Sequence, residues 1–464
     1  MTQTTGVCMK RIAVVLVLLC GFTIAQEKQI SVPYTRVVLP NGLNVLLHED
    51  HTVPMVSVNM WYHVGSGNEK PGRTGFAHLF EHLMFEGSGN VPEGKFDEWL
   101  EAVGGNNNGS TNTDRTNYWE NAPSNALELV FFIDSDRMGF LPDAMTQEKL
   151  DGQRSVVKNE RRQSYENQPY GLSWEILAKN LYPEGHPYNW TTIGSMADLD
   201  AASFEDVIEF FRLYYAPNNA SLAIAGDINI EETIKLVEKW YGEIPRGKPV
   251  PPIDPPAAKL TEEKILLQED NVQLPRLYMT WVTPAFYHPG DTEMDLLAKI
   301  FTSGKDSRLY KRLVYELQIA QDVIAFQNSN KLSSEFFIIA TAKSGRTLEE
   351  LKKVIQEEID KIKAEPPSQR ELQKVVNQTE AEFLDRLESV GGFGGKADLL
   401  NQYYFYTGNP DYFNEDLNRY KGISPGDIRA MAQTYLPDNG RVILSIVPKG
   451  KTDLAVQKKE GGVK

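Results

Sequence analysis

The chain has 464 residues, a formal net charge of −15, 41% hydrophobic residues and two cysteines. The acidic balance argues against a nucleic-acid partner, and the length exceeds what one hydrophobic core supports, so at least two domains are expected. Cys8 and Cys20 both precede residue 25, so a processed chain forms no disulfide.

Lys10 and Arg11 stand before an apolar stretch from Ile12 to Ile24 that ends in Thr23-Ile24-Ala25. This layout predicts a cleavable signal peptide over residues 1–25, and with it a periplasmic or secreted protein. The run is shorter than the roughly 20 residues of a spanning helix, and no other segment qualifies, so no membrane partner is expected after signal removal. Lipoprotein processing at Cys20 is disfavoured by the bulky Leu19 before it.

A first domain is expected over residues 26–247. It opens with alternation in Arg36 to Leu39, a Pro40-Asn41-Gly42 turn and Leu43 to Leu47, which reads as a hairpin, followed by a strand from Met55 to Tyr62. A helix from Phe76 to Phe85 carries His78-Leu79-Phe80-Glu81-His82. Histidines four apart share one helix face and reach one ion, and Glu81 lies on the same side. Zinc suits such a set because a catalytic site leaves one position open to water, and Glu81 can then serve as general base. A third ligand is needed. Glu160, in a helix predicted from Gln147 to Gln163, is the choice, with Glu166 a competitor and a solvated carboxylate beside Arg161 and Arg162 the bland alternative. Asn106, Asn107 and Asn108 among glycines read, on composition alone, as a flexible turn.

Five prolines between Pro249 and Pro256 predict an extended linker over residues 248–260. Beyond it the chain repeats itself. Leu46-Leu47-His48-Glu49-Asp50 is echoed 220 residues later by Leu266-Leu267-Gln268-Glu269-Asp270, and Tyr215, Pro217 and Asn219 return as Tyr435, Pro437 and Asn439. Collinear matches at both ends argue for a duplicated domain, the second copy over residues 261–449. The fold class read from this is α+β: two homologous domains, each a mostly antiparallel sheet backed by helices. The second copy has no HxxEH, so it should hold no metal. Further helices are predicted at Lys95 to Val103, Glu293 to Phe301, Leu348 to Lys363 and Gln369 to Leu387. Gly391-Gly392-Phe393-Gly394-Gly395 reads as a mobile connection, Gly185-His186-Pro187-Tyr188 as structural, and the tail over residues 450–464 as disordered.

With these motifs the chain resembles the pitrilysin family of inverted HxxEH metallopeptidases, which includes the insulin-degrading enzyme and the mitochondrial processing peptidase, over nearly the whole processed chain. The resemblance implies two ligands and the base from HxxEH, and a third ligand about 75 to 80 residues on in a VVxxE-like helix. Val156-Val157-Lys158-Asn159-Glu160 fits that pattern. Many members carry a glutamate seven residues before the ligand, where Gln153 stands here. The resemblance further implies one Zn2+ per chain, peptide substrates added as a strand along Asn108-Gly109-Ser110-Thr111, and a grip on the substrate backbone by Arg308 and Tyr315. It implies a homodimer, in which zinc from one subunit faces Arg308 and Tyr315 of the other. The expected function is zinc-dependent endopeptidase activity inside a chamber between two subunits. The rival readings are a non-catalytic binding or scaffold subunit and a catalytic subunit that needs a different partner chain.

Overall fold

A computed structural model of the chain describes residues 29–458. The expected signal peptide lies outside the described residues. In the first half, β1 (Thr35–Val38), β2 (Asn44–Glu49), β3 (Met55–Tyr62), β4 (Asn106–Thr111), β5 (Thr116–Pro123) and β6 (Ala220–Gly226) form a sheet in the order β1-β2-β6-β3-β5-β4. In the second, β7 (Lys264–Asp270), β8 (Arg276–Thr283), β9 (Ala320–Asn328), β10 (Ser334–Ala342) and β11 (Val442–Pro448) follow the order β7-β11-β8-β10-β9. Without β1, the two orders are the same. In each, the first pair (β2 with β6, β7 with β11) is parallel and the remaining pairs are antiparallel. The α+β class, with two like sheets backed by helices, is therefore borne out.

The first half contributes α1 (Phe76–Leu83), α2 (Lys95–Ala102), α3 (Leu127–Ala144), α4 (Gln147–Arg161), α5 (Ser173–Leu181), α6 (Met196–Ala201), α7 (Phe204–Tyr214) and α8 (Ile230–Tyr241). The second contributes α9 (Asp291–Thr302), α10 (Leu348–Ala364), α11 (Gln369–Arg386), α12 (Lys396–Thr407), α13 (Phe413–Lys421) and α14 (Pro425–Tyr435). Their starts are chemically marked: Thr146, Thr347 and Ser368 each accept a backbone N–H of the first turn, which satisfies donors that a helix N-terminus leaves open. Residues 248–260 have no regular structure.

Period-two alternation divides each sheet into two faces. On β3, Val56, Val58, Met60 and Tyr62 enter the core shared with α1, α3 and α4, while Ser57, Asn59 and Trp61 face the other way. That second face is covered from the opposite half of the chain. α12 lies across β2, β3 and β6, and Asp398 Oδ1 accepts from Trp61 Nε1 (2.8 Å), Asn117 Nδ2 (3.1 Å) and Asn59 Nδ2 (3.3 Å). Reciprocally, Leu177 and Leu181 of α5, with Tyr182 and Tyr188, pack on Tyr278, Phe337, Ile339, Val442, Leu444 and Ile446 of the second sheet.

Three expectations are corrected. Asn106 to Asn108 are not a flexible turn but the start of strand β4, because backbone pairing with β5 overrides the turn preference of asparagine. Gly391 to Gly395, read as a mobile connection, is a loop closed by backbone hydrogen bonds at its ends, with Gly391 against Ser57 and Asn121 of the first sheet. The tail is ordered as far as it is described: Ala455 and Val456 are buried in the second core, with Val456 N–H donating to Ser445 Oγ at 3.1 Å, so two small apolar residues outweigh the charge around them. No helix among the described residues is long and apolar enough to cross a membrane.

Candidate active site

α1 is set in place by a feature upstream of its own sequence. Gly75 caps it with a left-handed backbone (φ 89°) where an added Cβ would lie 2.8 Å from Ile193 O. The buried Glu69 carboxylate accepts the N–H groups of Gly75 (3.0 Å) and Ala77 (2.8 Å) and the indole N–H of Trp190 (3.1 Å). A carboxylate there complements the positive helix end, and burial pushes its pKa up to about 8 against those donors. Leu79, Phe80 and Leu83 sink into the core, which turns His78 and His82 toward α4. On α4, Leu150 and Val157 form the buried stripe and Glu160 follows one turn later on the face toward α1.

The structure brings His78, His82 and Glu160 together. His82 Nε2 is 3.3 Å from His78 Nε2, and Glu160 Oε2 is 3.4 Å from His82 Nε2 and 3.6 Å from His78 Nε2. Three atoms bound to one ion at 2.0–2.2 Å with tetrahedral angles lie roughly 3.3–3.6 Å apart, so the donor set fits zinc. Two imidazole nitrogens and a carboxylate oxygen converging on one point form a donor set that a single cation satisfies at once. Burial lowers the His78 pKa to about 4, leaving the neutral imidazole that binds metal. Glu160 is held below the usual carboxylate range, chiefly by its bond with His82.

Glu81 projects toward β4. An added Cβ on Gly109 would lie 3.4 Å from Glu81 Cγ and 3.1 Å from the Tyr118 ring, so this strand approaches the glutamate closely because residue 109 has no side chain. Burial raises the Glu81 pKa, opposed by a hydrogen bond with Thr111 and the nearby charges of His82 and Arg115. Arg115, half-buried, donates to Ser110 O (2.8 Å) and Ser110 Oγ (2.6 Å) and lies over the Trp61 ring. It thereby ties β4 to the sheet. β4 is the last strand of its sheet, and the Gly109 N–H is taken by the Asn108 side chain (2.8 Å) rather than by another strand.

The competitor Glu166 is not at the cluster; it pairs with Arg161 Nε at 3.3 Å, and Arg161 turns inward to Gly194 O and Glu175. Gln153 donates to Glu86 Oε1 at 2.6 Å. Arg308 makes a two-pronged ion pair with Glu371 (2.7 and 3.1 Å), and Tyr315 is 75% exposed on a π-helical turn, Tyr310–Glu316. Among the described residues neither is joined to the His78–His82–Glu160 cluster by a hydrogen bond or ion pair. Glu69, Arg115 and Glu86 were not singled out from the sequence. An acidic residue shortly before a helix start is a visible signal for Glu69, but the partners of Arg115 and Glu86 depend on tertiary packing.

The chain is similar to known proteins along most of its length. Residues 44–186 match the family described as "Insulinase (Peptidase family M16)", and residues 201–379 match "Peptidase M16 inactive domain", together more than half of the chain. The chain belongs to peptidase family M16. A relative named zinc protease PqqE from Helicobacter pylori is 29% identical over 423 residues, covering 89% of this chain and 93% of the relative. A probable mitochondrial-processing peptidase subunit beta from Arabidopsis thaliana is 22% identical and covers 90% and 79%. Among solved structures, a protease from Helicobacter pylori superposes with a TM-score of 0.83 at 27% identity, covering 90% of this chain and 99% of that one. The two-sheet architecture is thus that of the M16 family, and zinc use is a property of its named zinc-protease relatives.

Proposed function

We propose that this M16 chain is a zinc-dependent endopeptidase acting on peptides or unfolded segments, with one Zn2+ held by His78, His82 and Glu160 and with Glu81 as general base. The observation that carries this reading is the 3.3–3.6 Å triangle of His78, His82 and Glu160, beside Glu81 and the free edge of β4. A bound zinc ion supplies a polarised scissile carbonyl and a water whose pKa falls to about 7. Glu81 takes the proton from that water and returns it to the leaving amine. The peptide backbone pairs with β4, displacing the Asn108 side chain from the Gly109 N–H. Main-chain pairing makes specificity broad.

The protein works as a homodimer that encloses the peptide, with Arg308 and Tyr315 of the second subunit reaching the substrate opposite the zinc. The exposure of Tyr315 supports this role, since a core aromatic would be covered. The signal-like N-terminus supports a periplasmic or secreted location.

The test is hydrolysis of a mixed panel of quenched peptides by the wild type and Glu81→Gln, with metal content measured on both. The wild type is expected to carry about one metal per chain and to cleave, and the variant to keep the metal while losing on the order of 10³-fold in rate. A wild type that holds metal and cleaves nothing, even as a dimer, replaces this reading with a binding or scaffold role.

A further inference from the structure

A single exposed aromatic on a protein surface needs no explanation. Phe393 differs because of the loop that presents it. Each of its four neighbouring glycines meets a distinct demand. Gly392 and Gly394 have φ of +79° and +78°. A Cβ on Gly391 would lie 2.1 Å from Asn121 Oδ1 and 2.3 Å from Ser57 Oγ, and one on Gly395 would lie 2.5 Å from Gly391 O. The ends of the loop are closed by Lys396 N–H donating to Ser389 O (2.9 Å) and Ala397 N–H to Val390 O (3.1 Å), and Gly394 N–H donates to Asp398 Oδ2 (2.8 Å). Such a loop is built, and it holds Phe393 half-exposed with its ring edge-on to Trp119 at 5.6 Å.

The sheet register locates that ring. Ser57, Asn121 and Asn106 form one row across β3, β5 and β4, and Asn59, Trp119 and Asn108 form the next, with side chains of a row on the same face. α12 covers this face over β2, β3 and β6. Asn106 and Asn108 on β4 remain exposed. A strand added beyond β4, about 4.8 Å away, would direct alternate side chains to the Glu81 side and to this open face.

The geometry points to Phe393 as a specificity-determining residue: it forms an apolar wall for a large apolar or aromatic peptide side chain on the face away from Glu81. The assignment rests on the reading that β4 receives the peptide, and it adds a preference at alternate positions to an otherwise sequence-tolerant backbone contact.

Binding tests it separately from catalysis. Glu81→Gln holoprotein is titrated with fluorescent decapeptides in which one phenylalanine is walked through an alanine–threonine background. Phenylalanine is expected to tighten binding at alternate positions, by roughly tenfold at the best one, as a well-filled apolar pocket does. Adding Phe393→Ala should erase that preference, and Phe393→Leu should keep part of it. A walk with no preferred position, no binding of any peptide, or a preference unchanged by Phe393→Ala overturns the assignment. Hydrolysis of the same peptides by the wild type judges the peptidase reading independently.

Discussion

The two sheets share one strand order, and each has its second face covered by the other half, yet the two covers differ in their polar content. On the first sheet hydrogen bonds lead: Asn59, Trp61 and Asn117 donate to Asp398, and Asn401 Nδ2 donates to Asn59 O at 2.8 Å, beside the Phe405 ring on Trp61 and His63. On the second it is aromatic and aliphatic, with Leu177 and Leu181 against Tyr278, Phe337 and Ile339. Directional bonds specify one alignment, whereas apolar burial supplies adhesion without fixing angles. The polar cover lies on the face away from Glu81 but is linked to β4 through Asn117, whose Nδ2 donates to Asp398 and whose Oδ1 accepts from Ser110 Oγ at 2.7 Å. Near the chemistry a shift of about 1 Å matters. The half that carries the candidate chemistry is thus aligned by hydrogen bonds, and the half without it is held by burial.

The largest effect should come from the chemical asymmetry itself. His82→Ala on α1 is expected to empty the metal site and to lower peptide hydrolysis by on the order of 10³-fold or more. Lys299→Ala on the corresponding helix α9, where Lys299 pairs with Glu382 at 2.5 Å, should leave about one metal per chain. Metal analysis of both variants checks this, and loss of metal from the second would break the comparison.

Next in size are the two covers. Leu177→Ala removes a fully buried side chain from the apolar one and should cost about 3 kcal/mol in urea unfolding. Asp398→Asn keeps the shape but turns an amide toward the Gly394 N–H, at about 2 kcal/mol. The asparagine should also slow peptide hydrolysis relative to the leucine variant at matched stability, because Asn117 links the polar cover to Ser110 of β4.

What the sequence disclosed follows the same division. HxxEH and Glu160 were legible because histidines at i and i+4 are joined by local helix geometry, and α4 carries its own cap and apolar stripe. The strand from Met55 to Tyr62 and the repeat of the hairpin region were legible because side-chain alternation is local. The covers were not: Asp398 sits in a helix start with nothing nearby to announce Trp61 and Asn117 as its donors. The glycines around Phe393 read as flexibility, because composition does not distinguish a glycine required for close approach from one that loosens the chain. Asn106 to Asn108 failed for a related reason, since an edge strand is made by its neighbour's backbone rather than by its own side chains.

Acid should weaken the apolar cover through His186. His186 is almost fully buried, its Nδ1 accepts the Tyr188 N–H at 3.0 Å, and its ring stacks on Tyr182 at 4.4 Å. Burial lowers its pKa to about 4, below the value near 6.5 of an unfolded chain. The unfolded state therefore binds the extra proton first. Stability is complete above pH 6.5 and falls as pH drops toward 4, by no more than about 1.4 kcal/mol per unit. His186→Asn retains an acceptor without titrating, so the wild type should lose stability relative to it over that window; parallel curves would show that His186 does not couple.

The smallest effect on stability is expected at Arg308, and its small size makes the residue informative. The pair with Glu371 is partly exposed, and such pairs contribute under about 1 kcal/mol. Arg308→Ala should therefore unfold almost as the wild type does. If Arg308 is only a surface charge, hydrolysis is equally unaffected. If it grips the substrate across a homodimer, Arg308→Ala is nearly inactive while stably folded. A 1:1 mixture with inactive Glu81→Gln, exchanged between dimers, then recovers about a quarter of wild-type activity, since half the dimers gain one complete site of two. Recovery requires that Glu81 and Arg308 of one site come from different subunits. An inactive mixture, with exchange verified by mass, would confine Glu81 and Arg308 of one site to the same chain.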